Sequence, residues 1–165
     1  MRLVHVGSST ADGAREDSVV KKATGVDNNC LIDTLRQALP EALMVDPVRG
    51  VGQIREALAL EFSSGVDRVL SPRNGPANYL DLQVHWRSII GLLGNHANSR
   101  AVALNTGNYM IVCVDLDQPG VLSAHAGEGP NVLHIAREHG NHFLPMRRLH
   151  DPAPLPYDWH GRQRR

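Results

Sequence analysis

Apolar residues recur at helical spacing in three segments of the first hundred residues. Helix-breaking residues follow each segment. Pro40 should end the first helix, and Gly94-Asn95 should stop the third, which Asn78 and Asp81 introduce as an N-terminal cap. The apolar positions are Leu31, Leu35, Ala38 and Leu39 in the first helix, Val51, Ile54, Leu58 and Phe62 in the second, and Leu82, Trp86, Ile89, Ile90 and Leu93 in the third.

The pattern changes to short apolar and β-branched runs in the second half of the chain. Ala101–Leu104 and Tyr109–Val114 are predicted to form one hairpin, and Val132–Ala136 and His142–Met146 a second; Arg2–Val6 is a further short strand. Helices followed by strands predict an α+β fold in which N-terminal helices pack on a C-terminal, mostly antiparallel sheet.

Length and charge narrow the classes of protein. With 165 residues, the chain is expected to form a single domain over residues 1–150, followed by a flexible basic tail at 151–165. Seventeen basic and seventeen acidic residues balance, which argues against a nucleic-acid-binding surface. The longest apolar runs fall far short of the roughly 20 residues of a membrane span, so no membrane partner is expected.

The cysteine count and the N-terminus bear on the compartment. Cys30 and Cys113 are too few for a disulfide framework, and the polar residues after Gly7 do not form the apolar core of an export signal. We therefore expect a cytoplasmic protein, or one acting in a host cytosol if it is a delivered effector.

Candidate chemistry begins at Cys30, which stands at the predicted start of the first helix. The positive end of a helix dipole favours thiolate over thiol, so we expect an activated nucleophile there. The polar loop ahead of it should point backbone N–H groups forward, and those of Asn28, Asn29 and Cys30 are the predicted oxyanion donors. Cys113, within a strand of apolar residues, is predicted to be a core residue.

A thiolate nucleophile needs an imidazole within hydrogen-bonding distance, and nine histidines are available. His142 is preferred because it opens a strand directly after a turn, whereas His134 is predicted to be structural and His139 to be solvated. A zinc site built from these three histidines would want a fourth convergent ligand, so neither a metal nor another cofactor is expected.

The two segments resemble the motifs of the ovarian-tumour (OTU) cysteine proteases. Asp27-Asn28-Asn29-Cys30-Leu31-Ile32 is similar to the family's Asp-Gly-Asn-Cys-Leu-Phe/Tyr loop, and Asn141-His142-Phe143-Leu144-Pro145-Met146 resembles its C-terminal histidine strand. The resemblance covers about residues 25–147. It implies a papain-like, OTU-type fold, with Cys30 as nucleophile and His142 as general base.

The sequence departs from the family at two positions. Asn28 replaces the usual glycine of the loop, and Leu144 stands where many members place an Asn or Asp that orients the histidine. Asp27 is the first candidate for this third polar role, although it could also brace the loop. The alternative acids are Asp12, Asp17 and Asp151.

The resemblance implies a deubiquitinase, which cleaves isopeptide or peptide bonds after the C-terminus of ubiquitin or a ubiquitin-like modifier. Its partners would be ubiquitin conjugates, and the chain would act as a monomer. Two alternatives stay open. The same dyad could serve a bacterial effector or toxin as a protease or glutamine deamidase for another host protein, or the domain could be an inactive ubiquitin-binding module.

Overall fold

A computed structural model describes residues 2–6, 16–97, 106–118 and 122–148 of the chain. Three helices precede four of the six strands, which confirms the α+β class. The predicted strand at 101–104, the acids Asp12 and Asp151 and the predicted tail at 151–165 lie outside the described residues. The elements are β1 (Arg2–Val6), β2 (Glu16–Val20), α1 (Cys30–Ala38), α2 (Arg49–Glu61), α3 (Leu82–Ala97), β3 (Tyr109–Asp115), β4 (Leu122–Gly127), β5 (Asn131–Glu138) and β6 (His142–Arg148), with 3-10 turns at Val26–Asn28, Pro40–Ala42 and Thr106–Asn108.

The helix predictions hold except at the termini of α3. α1 ends immediately before Leu39-Pro40, as the proline predicts. α3 is capped by Asp81 alone, whose carboxylate accepts the backbone N–H groups of Gln83 and Val84. Asn78 lies outside the cap, and the helix continues through Gly94 to Ala97. Glycine weakens a helix interior by only about 1 kcal/mol, a cost that the buried face of α3 offsets.

The strands form one sheet in the order β1-β2-β6-β5-β3-β4. β5 and β6 form the predicted antiparallel hairpin. The antiparallel partner of β3, however, is β4, a strand that the hydrophobic pattern does not predict, and β3 also pairs with β5 in parallel. β2 is a second unpredicted strand, and it joins β1 to the free side of β6.

Gly129 makes the parallel pairing of β3 and β5 feasible. Three residues carry the chain from β4, on one side of β3, to β5 on the other, across the beginning of β3. A Cβ at position 129 would lie 2.2–2.5 Å from the backbone of residues 107–109. Only glycine fits this crossing, which also forms a hydrogen bond from the Gly129 N–H to the Tyr109 carbonyl.

α1 and α3 pack against the sheet, α2 packs against α1 and α3, and all of them share one core. Trp86 and Cys113 are both buried there, as predicted. Alternate residues of β6 point to opposite faces, so Phe143 lies in this core whereas Leu144 belongs to a second apolar cluster on the other face. α1 packs against β6 and β5, which brings its N-terminus to the beginning of β6.

No helix within the described residues is long and apolar enough to span a membrane.

Candidate active site

The Cys30 sulfur contacts the backbone on either side of His142, a residue 112 positions away in the sequence. The contact lies where the N-terminus of α1 packs against the beginning of β6. The Phe143 N–H donates to the Cys30 sulfur at 3.4 Å, and the thiol donates to the Asn141 carbonyl at 3.7 Å. The sulfur therefore lies against the two peptide groups that flank His142. The fold thus places the backbone around His142 against the Cys30 sulfur.

The resting state of Cys30 differs from the expectation. Burial raises the pKa of the Cys30 thiol, and the N–H groups of Phe143, Leu31 and Cys30 itself, with the charge of Arg55, only partly oppose this effect. The helix terminus does favour the thiolate, as predicted, but desolvation outweighs it. Burial raises the pKa of Cys113 to about 12, which fits an inert core residue.

The loop ahead of Cys30 adopts an unusual backbone. Asp27 and Asn28 have φ angles of 53° and 55°, in the left-handed region. Each such residue costs roughly 1–2 kcal/mol, less for Asn and Asp, whose short polar side chains tolerate this conformation. Asn28 is therefore compatible with the left-handed geometry of this loop.

Two of the three predicted oxyanion donors are already used. The Asn28 N–H donates to the Gly25 carbonyl at 3.2 Å, and the Asn29 N–H donates to the Val26 carbonyl at 3.1 Å, closing the 3-10 turn. The N–H groups of Phe143, Leu31 and Cys30 instead lower the pKa of the thiol. Of the three predicted donors, only Cys30 is in this set, and whether it serves an oxyanion stays a prediction.

Arg55 of α2 is a residue of the site that the sequence analysis missed. Its side chain is fully buried and donates to the Asn29 side-chain oxygen at 2.7 Å and to the Asn28 carbonyl at 2.9 Å. The signal was present in the sequence, because Arg55 occupies the apolar stripe of α2 between Val51 and Leu58. A charge at such a position needs buried partners.

The His142 side chain is half-buried. Its ring forms no hydrogen bond with any residue in 16–97, 106–118 and 122–148. The register places Glu138 of β5 directly opposite His142, on the same face of the sheet, and the Glu138 side chain is 18% exposed. Cβ atoms of such pairs are about 5 Å apart, so the Glu138 carboxylate is within reach of the imidazole.

The other candidate residues occupy varied positions. Asp27 is exposed; burial lowers the pKa of Arg55, and the charge of Asp27 only partly offsets this. Asp17 lies in β2, opposite His5 of β1. His139 is exposed in the turn, as predicted, and His134 lies within β5. Within the described ranges, no group of three or more His, Cys, Asp or Glu residues could hold a metal ion.

Comparison with known proteins adds one finding. No protein-family model matches the chain, and no curated protein matches its sequence. Among solved structures, the chain is similar to the OTU of Hazara virus bound to ubiquitin, with 16% identity over 80% of this chain and 82% of that chain, at a TM-score of 0.39.

Proposed function

We propose that the protein is a thiol hydrolase of the OTU type, with a papain-like arrangement of Cys30 and His142, and that it cleaves bonds after the C-terminus of ubiquitin or a ubiquitin-like modifier. The proposal rests on the position of the Cys30 sulfur, which lies between the Asn141 carbonyl and the Phe143 N–H and is hydrogen-bonded to both. The motifs around both residues supply the substrate class.

The reaction begins when the His142 imidazole accepts the Cys30 thiol proton. The thiolate bonds to the carbonyl carbon of the scissile bond, and the carbonyl electron pair moves onto oxygen. Collapse of this tetrahedral intermediate breaks the C–N bond, His142 returns the proton to the leaving lysine amine, and a thioester forms. Water, deprotonated by His142, then hydrolyses the thioester and releases a carboxylate and the thiol.

The oxyanion needs donors that do not reorganise during the reaction. We assign this purpose to the Cys30 and Leu31 N–H groups, which lower the pKa of the thiol. The Asn28 and Asn29 N–H groups, which are also predicted donors, could contribute only if the 3-10 turn opens. For the third polar role, Asp27 stays a prediction, and the Glu138 carboxylate competes with it because of its position opposite His142.

Two observations favour a second function. Burial raises the pKa of Cys30, and the His142 ring has no hydrogen bond to any described residue. Both features suit an inactive module that binds ubiquitin without cleaving it.

A ubiquitin probe with a C-terminal electrophile separates the two functions. The proposed hydrolase forms a covalent adduct, which disappears in Cys30→Ala and persists in Cys113→Ala, the matched control at the other cysteine. Saturable binding without an adduct would identify the binding module instead. If neither is seen, a mass increase of about 1 Da on glutamine residues of candidate host proteins would point to a deamidase.

A further inference from the structure

The N-terminus of α1 lacks the cap that its sequence could provide. Asn29 is the N-cap residue, a position where an Asn side chain usually accepts an N–H of the first turn, yet its side chain forms no such bond. Its oxygen instead accepts the Arg55 Nε–H at 2.7 Å. The first N–H groups of α1 are thereby left without a side-chain cap, and those of Cys30 and Leu31 lower the pKa of the Cys30 thiol.

Arg55 also secures the strained part of the loop. Its Nη2 donates at 2.9 Å to the carbonyl of Asn28, one of the two consecutive left-handed residues. Through the same fork it reaches the segment after α2, donating to the Leu70 carbonyl at 2.8 Å and to the Asn78 carbonyl at 2.9 Å. The Asn28 side chain adds a direct bond to the Ala77 carbonyl at 2.7 Å.

A guanidinium suits this place because it spreads several donors over a rigid plane. Lysine would keep the charge but could not span the carbonyls and the amide that Arg55 reaches on both sides. The hydrogen bonds of Arg55 to the Asn29 side chain and to the backbone carbonyls also compensate for the burial of its charge.

We propose that Arg55 is a positioning residue of the candidate active site: by holding the Asn29 side chain and the Asn28 carbonyl, it keeps the N-terminus of α1 uncapped and open towards the Cys30 thiol. The proposal deepens the proposed function and rests on it for the catalytic consequence. Its effect on the thiol can be measured without any ubiquitin substrate.

Electrostatics supports the same role. Arg55 is the cation whose charge lowers the pKa of Cys30, and although burial lowers its own pKa to about 10, it stays protonated at neutral pH. The other titratable groups around the thiol are Asp27 in the loop, Asp33 on α1, His142 on β6 and Glu138 on β5. Substitution of Arg55 leaves all four in place, so a shift in thiol titration reports on Arg55.

The test uses a Cys113→Ala background, in which Cys30 is the only thiol of the chain. Arg55→Met is compared with Arg36→Met, the same substitution at a largely buried arginine of α1 that pairs with Asp33 at 2.9 Å and does not contact the loop. The pH dependence of iodoacetamide alkylation gives the apparent pKa of Cys30. A fluorogenic ubiquitin amide gives kcat and KM separately, and thermal unfolding gives the folded fraction.

We expect Arg55→Met to raise the apparent pKa of Cys30 by about one unit, which slows alkylation at neutral pH about tenfold. We expect kcat to fall on the order of 10²-fold, the effect of a lost oxyanion donor, with KM changed less than about threefold. Arg55→Lys should largely preserve the thiol pKa but still lose kcat, whereas Arg36→Met should lower only thermal stability.

A folded Arg55→Met variant with the parent's alkylation profile and kcat would overturn the proposal, as would equal shifts in Arg36→Met. If Arg55→Met does not fold, Arg55→Lys decides, and a parent-like kcat in that variant overturns it. An alkylation shift in a protein that cleaves no ubiquitin substrate would support the role of Arg55 and contradict the proposed function alone.

Discussion

The two sides of the candidate site are built differently. On the cysteine side, a buried arginine, a 3-10 turn and two left-handed residues hold the loop that leads into α1. On the histidine side, β6 is held through its backbone, while the His142 ring forms no hydrogen bond with a described residue. The loop before the thiol is thus held by hydrogen bonds in the free protein, whereas the orientation of the His142 ring, the proposed base, is left to a carboxylate or to the substrate.

The largest expected effect removes the nucleophile. Cys30→Ala should lower ubiquitin-amide cleavage by at least about 10³-fold, because no other group can form the thioester. Cys113→Ala should cost about 1 kcal/mol of unfolding free energy, from the cavity it leaves, and spare activity. Turnover is measured at a matched folded fraction. Equal activity losses in the two variants would refute the assignment of Cys30.

Removal of the base should be the next largest effect. We expect His142→Ala to lose on the order of 10²- to 10⁴-fold in kcat, the usual contribution of a general base. His139→Ala is the comparison: His139 is exposed in the adjacent turn with its ring 4.0 Å from the Glu138 carboxylate, and we expect a much smaller loss of kcat than in His142→Ala. An essential His139 with a dispensable His142 would place the base in the turn rather than on β6.

The third largest effect should identify the carboxylate that orients the His142 imidazole. If Glu138 orients His142, Glu138→Gln should lower kcat about 10²-fold or more with little change in thermal stability. Asp27→Asn should then be nearly harmless, because Asp27 would only brace the loop beside Arg55. The reverse pattern would give the role to Asp27. Parent-like kcat in both variants would exclude both carboxylates and leave Asp12, Asp17 and Asp151.

A smaller effect concerns the titration of the thiol. Because burial raises the pKa of Cys30, alkylation by iodoacetamide in the Cys113→Ala variant should be slow at neutral pH and accelerate at more alkaline pH than for an exposed cysteine. A rate that is already high and flat below neutral pH would show instead that a thiolate–imidazolium pair exists in the free protein.

The smallest expected effect comes from the Asp46 cap at the start of α2. It tests whether the thermal stability of α2 can change without a change in the reactivity of Cys30. Asp46 accepts the N–H groups of Val48 and Arg49 at the start of α2, and these bonds lower the pKa of its carboxyl. The stabilisation is therefore present above the ordinary carboxyl pKa and is lost as the pH falls through the lowered value. Asp46→Ala should lower the melting temperature slightly at neutral pH and leave Cys30 alkylation unchanged. An altered alkylation profile would show that the loop depends on α2 as a whole.

Sequence reasoning predicted most of the helical half and the two ends of the site. Helical periodicity and Pro40 located α1, because these signals act within a few residues of one another. Sequence reasoning missed β2 and β4 because neither contains a clear run of apolar or β-branched residues. These segments form strands because they pair with neighbouring strands in the sheet. Sequence reasoning also missed the parallel pairing of β3 with β5, which depends on the close passage of Gly129 past Tyr109.

The sequence by itself determined the chemical groups of the candidate site: a cysteine at a helix start, a polar loop before it and a histidine at a strand start. Only the tertiary structure decided how those groups behave. It buried Cys30, so that desolvation outweighs the helix terminus, and it placed Glu138 opposite His142. It also brought Arg55 beneath the loop, 26 positions away in sequence from Asn29. Burial and long-range hydrogen bonds are properties of packed neighbours, and no local pattern of residues encodes them.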